Sequence, residues 1–263
     1  MMTTATLTRV RRLCPSTMDF RFEAQGAVSC KPGQFFRFTF TDRSGQFERS
    51  YTLSSRAAGG RTLDLVVSEV PGGRASRFLF TAQPGATVGV EGPYGKLTLP
   101  DELPGRLILV ATSVGVAPYL PMLDELAARS GPGAKAVLLL GVRDTSEILY
   151  AQQLFAFART PYCDLRVCLS RADPVSDVAF VVRGYVQAQL AALAPDPSVD
   201  AVMLCGNPVM IDECYAQLRE RGFGPRQVKR EKYVFAREAA AETVKPSAAD
   251  KALIAAKLEK YRT

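Results

Sequence analysis

Three short stretches carry residue types that could do chemistry together: Arg49-Ser50-Tyr51-Thr52, Cys205-Gly206-Asn207-Pro208 and Glu231-Lys232-Tyr233. On an extended strand Arg49 and Tyr51 share one face, while Ser50 and Thr52 share the other. Strand twist and a ligand lying along the strand let the arginine grip a phosphate, the aromatic ring pack on a flat ring system, and a hydroxyl or backbone N–H reach a ring nitrogen. Read alone, the tetrapeptide also suits an exposed antiparallel strand with an incidental arginine. Cys205 closes an apolar run, and Gly206 beside it leaves room for a planar ring to approach. An inert small hydrophobe is the plainer reading of a buried cysteine. Pro208 suits the first turn of a following helix. Glu231 and Tyr233 are expected two apart on a final strand, pointing the same way.

Two further segments could hold anions. Gly72-Gly73-Arg74-Ala75-Ser76 combines a glycine-rich turn with a helix predicted to open at Ser76, a pattern that offers convergent N–H groups to a pyrophosphate. Thr112-Ser113-Val114-Gly115-Val116-Ala117-Pro118 joins a predicted strand to a predicted helix, and departs from the plain Gly-x-Gly-x-x-Gly dinucleotide fingerprint.

The elements that must position these residues fall into two textures. Residues 5–12, 17–23, 35–40, 50–54, 62–67 and 87–92 read as short strands separated by turns such as Lys31-Pro32-Gly33 and Ala58-Gly59-Gly60. Six such strands predict a small antiparallel β-barrel, with one helix after Gly73. Leu99-Pro100-Asp101-Glu102-Leu103-Pro104-Gly105 breaks the pattern and marks a domain boundary. Beyond it, apolar runs at 107–111, 136–141, 165–169, 201–205 and 228–233 alternate with helical patterns at 117–129, 146–160, 185–193 and 208–221. That alternation predicts an α/β domain with a doubly wound parallel sheet, whose ligands gather at the strands' carboxyl ends. The expected domains are 1–99, 100–235 and a C-terminal extension over 236–263. In the extension, Ser247-Ala248-Ala249-Asp250 resembles a capping box, and a short amphipathic helix and a disordered tail are equally open.

Composition narrows the chemistry. The 263 residues leave room for two cores, and 47% hydrophobic with 22% charged residues describes a globular chain. No apolar run approaches the roughly 18 to 20 residues that span a bilayer, and the start lacks the form of a secretory signal, so a cytoplasmic protein without membrane attachment is expected. Cys14, Cys30, Cys163, Cys168, Cys205 and Cys214 form no Cys-x-x-Cys pair, which argues for reduced thiols and no protein-bound metal or iron–sulfur cluster. Histidine is absent, removing Ser-His and Cys-His catalysis and most catalytic zinc sites. A formal net charge of +7 favours anionic ligands or an acidic protein partner. Scattered lysines and arginines argue against nucleic acid.

Taken in order, these motifs resemble the ferredoxin–NADP reductase family, of the bacterial ferredoxin/flavodoxin reductase type, over roughly residues 5 to 235. The resemblance implies an FAD-binding barrel followed by an NADP-binding domain. It implies Arg49 on the FAD pyrophosphate, Tyr51 against the isoalloxazine and Thr52 near its N5, with Ser50 in the same motif and Gly73 and Ser76 at a second phosphate contact. Pro32-Gly33-Gln34 and Gly92-Pro93-Tyr94-Gly95 match barrel landmarks. Thr112, Gly115 and Pro118 fall in the family's nicotinamide pyrophosphate loop, Thr-Gly-x-Gly-x-x-Pro, where Ser113 replaces the first glycine. Ser113 must therefore take an ordinary backbone or bear strain. Cys205 is implied beside the nicotinamide C4, and Glu231 and Tyr233 as the family's C-terminal acid and flavin-covering aromatic, with Phe235 as the alternative. Arg143, Ser170 and Arg171 resemble positions that bind the 2′-phosphate of NADP, with Arg183 nearby. The implied activity is electron transfer between NADP(H) and ferredoxin or flavodoxin through FAD, by a monomer. Its rivals are an oxygenase reductase component, a free-flavin reductase and a non-catalytic flavin-binding subunit.

Overall fold

In the computed structural model, which describes residues 2–55, 59–129, 135–174 and 178–233, the first six strands form one antiparallel sheet. They are β1 (Thr3–Cys14), β2 (Thr17–Ala24), β3 (Phe35–Asp42), β4 (Gly45–Thr52), β5 (Thr62–Ser68) and β6 (Thr87–Tyr94), ordered β4-β3-β6-β1-β2-β5. Alternation decides their inner face: Phe36, Phe38 and Phe40 of β3 are buried with Phe20 and Phe22 of β2 and Leu63 and Leu65 of β5. Among the described residues the outer strands meet through one bridge, Leu53 to Leu65, and Ser54 N–H donates to the Asp64 carbonyl at 2.9 Å. The sheet therefore curls into a barrel without a full closing ladder. A helix, α1 (Arg74–Thr81), lays Phe78 against Phe40, ring centroids 5.1 Å apart.

In this half the bounds of the fourth strand and of the helix depart from the sequence expectation. The fourth strand runs from Gly45 to Thr52 instead of over 50–54. Asp42 Oδ1 accepts from Ser44 N–H at 2.8 Å, and Gly45 takes φ +97°, so a tight turn extends the pairing back to Asp42. The polar edge residues Gln46, Glu48 and Arg49 hide this strand from a search for alternating apolar residues. Helix α1 starts at Arg74 because Gly73 is its N-cap, and Arg74 grips Asp42 through bonds of 2.8 and 2.6 Å.

The second sheet is parallel throughout: β7 (Arg106–Thr112), β8 (Lys135–Val142), β9 (Cys163–Leu169), β10 (Val181–Arg183), β11 (Asp200–Gly206) and β12 (Val228–Lys232), ordered β10-β9-β8-β7-β11-β12. Successive residues of its central strands enter opposite cores. Leu107, Leu109, Leu138 and Leu140 pack with α2 (Tyr119–Arg129) and α3 (Ala151–Ala158), while Ile108, Val110, Val137 and Leu139 pack with α4 (Val186–Ala192) and α5 (Pro208–Glu220). This is a doubly wound sheet covered on both faces. The helix expected over 146–160 divides into a 3-10 turn at Thr145–Glu147 and α3, because Tyr150 between them holds a left-handed φ of +54°. The three-residue β10 carries too little pattern to have been expected. Among the described residues, no helix is long and apolar enough to cross a membrane.

Candidate active site

The parallel sheet builds outward from β7 through β8, β9 and β10, then returns to the other side of β7 with β11. This reversal places the crevice for a ligand at the carboxyl ends of β7 and β11. Thr112 ends β7, and its Oγ1 accepts from Asn207 N–H at 2.9 Å. Gly206 takes φ +123°, and a Cβ there would come 2.4 Å from Thr112 Oγ1. A Cβ on buried Gly115 would come 2.4 Å from the Cys205 carbonyl oxygen. Both glycines thus allow the loop after β7 to lie directly on the end of β11. Ser113 adopts φ +50°, so this serine takes the left-handed backbone a glycine would hold freely, at the cost of strain. Pro118 is buried just before α2. Asn207 caps α5, accepting Val209 N–H at 2.8 Å and Met210 N–H at 3.2 Å.

Four of the expected site residues meet across the two sheets. Thr52, buried at the end of β4, donates through Oγ1 to Glu231 Oε1 at 2.8 Å. Glu231 on β12 stands in register with Cys205 on β11. Tyr233 lies one residue beyond β12, where its N–H donates to the Gly206 carbonyl at 2.9 Å, and its hydroxyl comes within reach of Thr52 and Cys205. The expectation put Tyr233 on the strand itself; it continues the ladder past the strand's end. Phe235, like residues 236–263, lies outside the described residues.

Desolvation dominates the electrostatics here. Burial, then the Glu231 charge, pushes the Cys205 thiol well above its usual value, so the sulfur is a neutral thiol near pH 7. Burial also raises Glu231, against the opposing pull of the Thr52 hydrogen bond. The Tyr233 phenol is raised by burial and then by its acidic neighbours.

The remaining residues form two outlying groups. Arg49 is exposed, donates to the Glu48 carbonyl at 2.6 Å, lies 5.8 Å from the Phe47 ring centroid, and has no acidic partner among the described residues. Ser50 is exposed, and half-buried Tyr51 sets its ring edge-on to Phe38 and Phe40. Gly73 caps α1, but the buried Ser76 Oγ accepts from Val70 N–H at 2.8 Å and so ties down the local turn. At the other group, Arg171 N–H donates to the Arg143 carbonyl at 2.9 Å, and Ser170 N–H to the Val142 carbonyl at 3.0 Å, joining the carboxyl ends of β8 and β9. The Arg143 side chain pairs with Glu147 and that of Arg183 with Asp173, whereas exposed Arg171 has no ion pair among the described residues. The sequence reading missed Glu147, although an acid four residues after Arg143 is a recognisable pairing signal. It also left Asn207 without a task, although asparagine followed by proline at a helix start is a capping signal.

This donor set fits a phosphate-bearing, ring-containing cofactor: exposed guanidiniums without an acidic partner among the described residues at Arg49 and Arg171, and strand ends where Gly206 and Gly115 bring the loop after β7 onto β11. Residues 4–99 match the family described as oxidoreductase FAD-binding domain, and residues 109–215 the family described as oxidoreductase NAD-binding domain. Together they define a flavin- and nicotinamide-binding oxidoreductase. Ferredoxin–NADP reductase B of Sorangium cellulosum is 33% identical over 236 residues, covering 86% of this chain and 93% of that protein. The chain belongs to the ferredoxin–NADP reductase family. It is also 27% identical to the toluate 1,2-dioxygenase electron transfer component of Pseudomonas putida, over 87% of this chain and 67% of that protein. Among solved structures, a cytochrome P450 reductase of Amycolatopsis superposes with a TM-score of 0.77 at 26% identity, covering 88% of this chain and 69% of that one. A ferredoxin NADP+ reductase of Neisseria gonorrhoeae shares the fold with the same TM-score of 0.77 at 22% identity, over 88% and 98% of the two chains.

Proposed function

We propose that this protein is an FAD-containing NADP(H) oxidoreductase that passes electrons singly to ferredoxin or flavodoxin, with an FAD half over 1–99 and a nucleotide half over 100–235. The observation that carries this reading is the contact between Thr52 of the first sheet and Glu231 of the second, beside Cys205 and Tyr233. Bound FAD would supply a ring that accepts hydride as a pair of electrons and releases them one at a time. Arg49, Ser50 and Tyr51 would hold that cofactor along β4, with Gly73 and Ser76 at its second phosphate contact. Thr112, Gly115 and Pro118 would carry the nucleotide pyrophosphate, and Arg143, Ser170 and Arg171 the 2′-phosphate. Cys205, held as a neutral thiol by burial, would orient the nicotinamide without attacking it. Thr52 and Glu231 would keep a proton at the junction, and Tyr233 would cover the ring until the nicotinamide displaces it, with Phe235 as the alternative cover.

The net charge of +7 supports an acidic carrier. Several relatives are named as oxygenase components, which supports a second reading in which the carrier feeds an oxygenase. The test is anaerobic mixing of the flavin-loaded protein with NADPH or NADH, followed by an acidic iron–sulfur carrier at increasing salt. The proposal expects bleaching faster with NADPH and carrier reduction that slows as salt rises. A flavin reduced by neither nucleotide would instead favour a passive subunit, and a salt-independent carrier rate would remove the electrostatic docking.

A further inference from the structure

The outer face of β1, β2 and β5 holds a charged cluster that the reaction leaves unused. Asp19 and Asp64 are 1% and 6% exposed. Arg9 and Arg11 donate to Asp19 at 3.1 and 2.9 Å, and Arg21 holds Asp64 through bonds of 2.7 and 2.9 Å. Charges this deep require paired and covered surroundings, yet Asp19 Oδ1 and Arg9 Nε are buried without a hydrogen-bond partner. The cover comes from the other sheet's half. Val66 and Cys14, also on this side of the barrel, join the apolar core of that half, and Tyr150 packs against the same core.

Tyr150 is the cover's polar tip. Its hydroxyl lies within reach of Ser54 and feels the charges of Asp19, Arg11, Asp64 and Arg21. Burial, followed by the Asp19 charge, pushes this phenol up to about 12, so it remains a neutral donor. Its backbone holds φ +54°, a conformation that a bulky residue keeps only where its surroundings impose it. Ser54 in turn donates through Oγ to the Asp64 carbonyl at 3.2 Å, beside the single bridge that joins the barrel's outer strands. Two residues before Ser54 is Thr52, whose hydroxyl meets Glu231 at 2.8 Å.

We propose that Tyr150 is a positioning residue: a peg from the nucleotide half, seated between Ser54 and the Asp19–Asp64 cluster, that fixes the alignment in which Thr52 meets Glu231 beside Cys205. Hydride transfer depends on a donor–acceptor separation of about 3 to 3.5 Å. A contact two residues from Thr52 therefore governs the rate of transfer, while the phosphate contacts that set nucleotide affinity lie elsewhere. The inference rests on the reductase reading above.

The test uses the full-length, flavin-loaded protein with Tyr150→Phe, which keeps the ring, Ser54→Ala, which removes the contact from the barrel side, and the double variant. Single-turnover reduction by NADPH gives the limiting rate and the half-saturating concentration, and charge-transfer absorbance reports nicotinamide over the flavin. Each single variant is expected to lower the limiting rate about fivefold and weaken that absorbance, with half-saturation changed by less than about twofold. The double variant should fall no further than the slower single variant. A general structural defect would reduce flavin content and thermal midpoint and leave the rate of the loaded fraction intact. Unchanged rates and absorbance in both single variants would overturn the proposal, as would effects that multiply in the double variant. Ser54→Ala, a one-atom deletion, keeps the test decisive if Tyr150→Phe retains less flavin. Wild-type protein that NADPH cannot reduce would sink the reductase reading along with the peg, whereas normal wild-type reduction matched by both variants would sink the peg alone.

Discussion

The junction formed by Thr52, Cys205, Glu231 and Tyr233 and the strand ends bearing Arg143 and Arg171 treat charge in opposite ways. At the junction, burial keeps the thiol and phenol neutral and lifts Glu231 toward neutrality. At the strand ends the arginines are exposed, and what distinguishes them is whether a neighbouring acid already occupies them. A desolvated group changes its proton equilibrium, whereas a solvated guanidinium keeps its charge and changes only its partners. The first arrangement suits control of a reaction rate, and the second suits selection of a ligand.

That contrast can be broken at either end. In the proposed reading Arg171→Ala should raise the NADPH concentration for half-saturation about tenfold or more, with little change in limiting rate. An equal shift for NADH would refute a role in reading the 2′-phosphate. A smaller effect is expected from Glu231. Its folded-state value is raised, so the neutral carboxyl contributes stability that is fully present below the ordinary carboxylate range and is lost as pH rises through the folded value. Thermal midpoints measured from acid to neutral pH should therefore fall with rising pH more steeply in the wild type than in Glu231→Gln, by about 2 °C. Parallel curves would mean that desolvation does not govern this residue. Smallest is Arg143→Ala, expected to weaken NADPH binding only about two- to threefold because Glu147 already occupies that side chain. A loss as large as that of Arg171→Ala would erase the distinction between paired and unpaired arginines.

The sequence carried the fold well where burial is periodic. Alternating phenylalanines at 36, 38 and 40 and continuous apolar runs such as 107–111 announce an antiparallel barrel and a doubly wound sheet because each pattern satisfies only one kind of packing. It carried edges poorly. The polar β4 and the three-residue β10 are held by hydrogen-bond ladders, and backbone pairing leaves no side-chain signature. Individual site residues could be named from their motifs, but the contact between Thr52 and Glu231 joins positions 179 apart in the chain, and only the folded arrangement of two sheets produces it. Tyr150 shows the same limit: the helix expected over 146–160 included it, whereas tertiary surroundings give it a left-handed backbone and a polar neighbourhood. At Ser113 the sequence left an ordinary or a strained backbone open, and the structure holds the strained one.

The most direct measurement is single-turnover reduction of bound flavin by NADPH, compared between wild type and Cys205→Ala. Rapid bleaching is expected in the wild type and a limiting rate about tenfold lower in the variant, with flavin still bound and half-saturation little changed. Equal limiting rates in the two proteins would contradict the claim that this junction is where hydride is transferred.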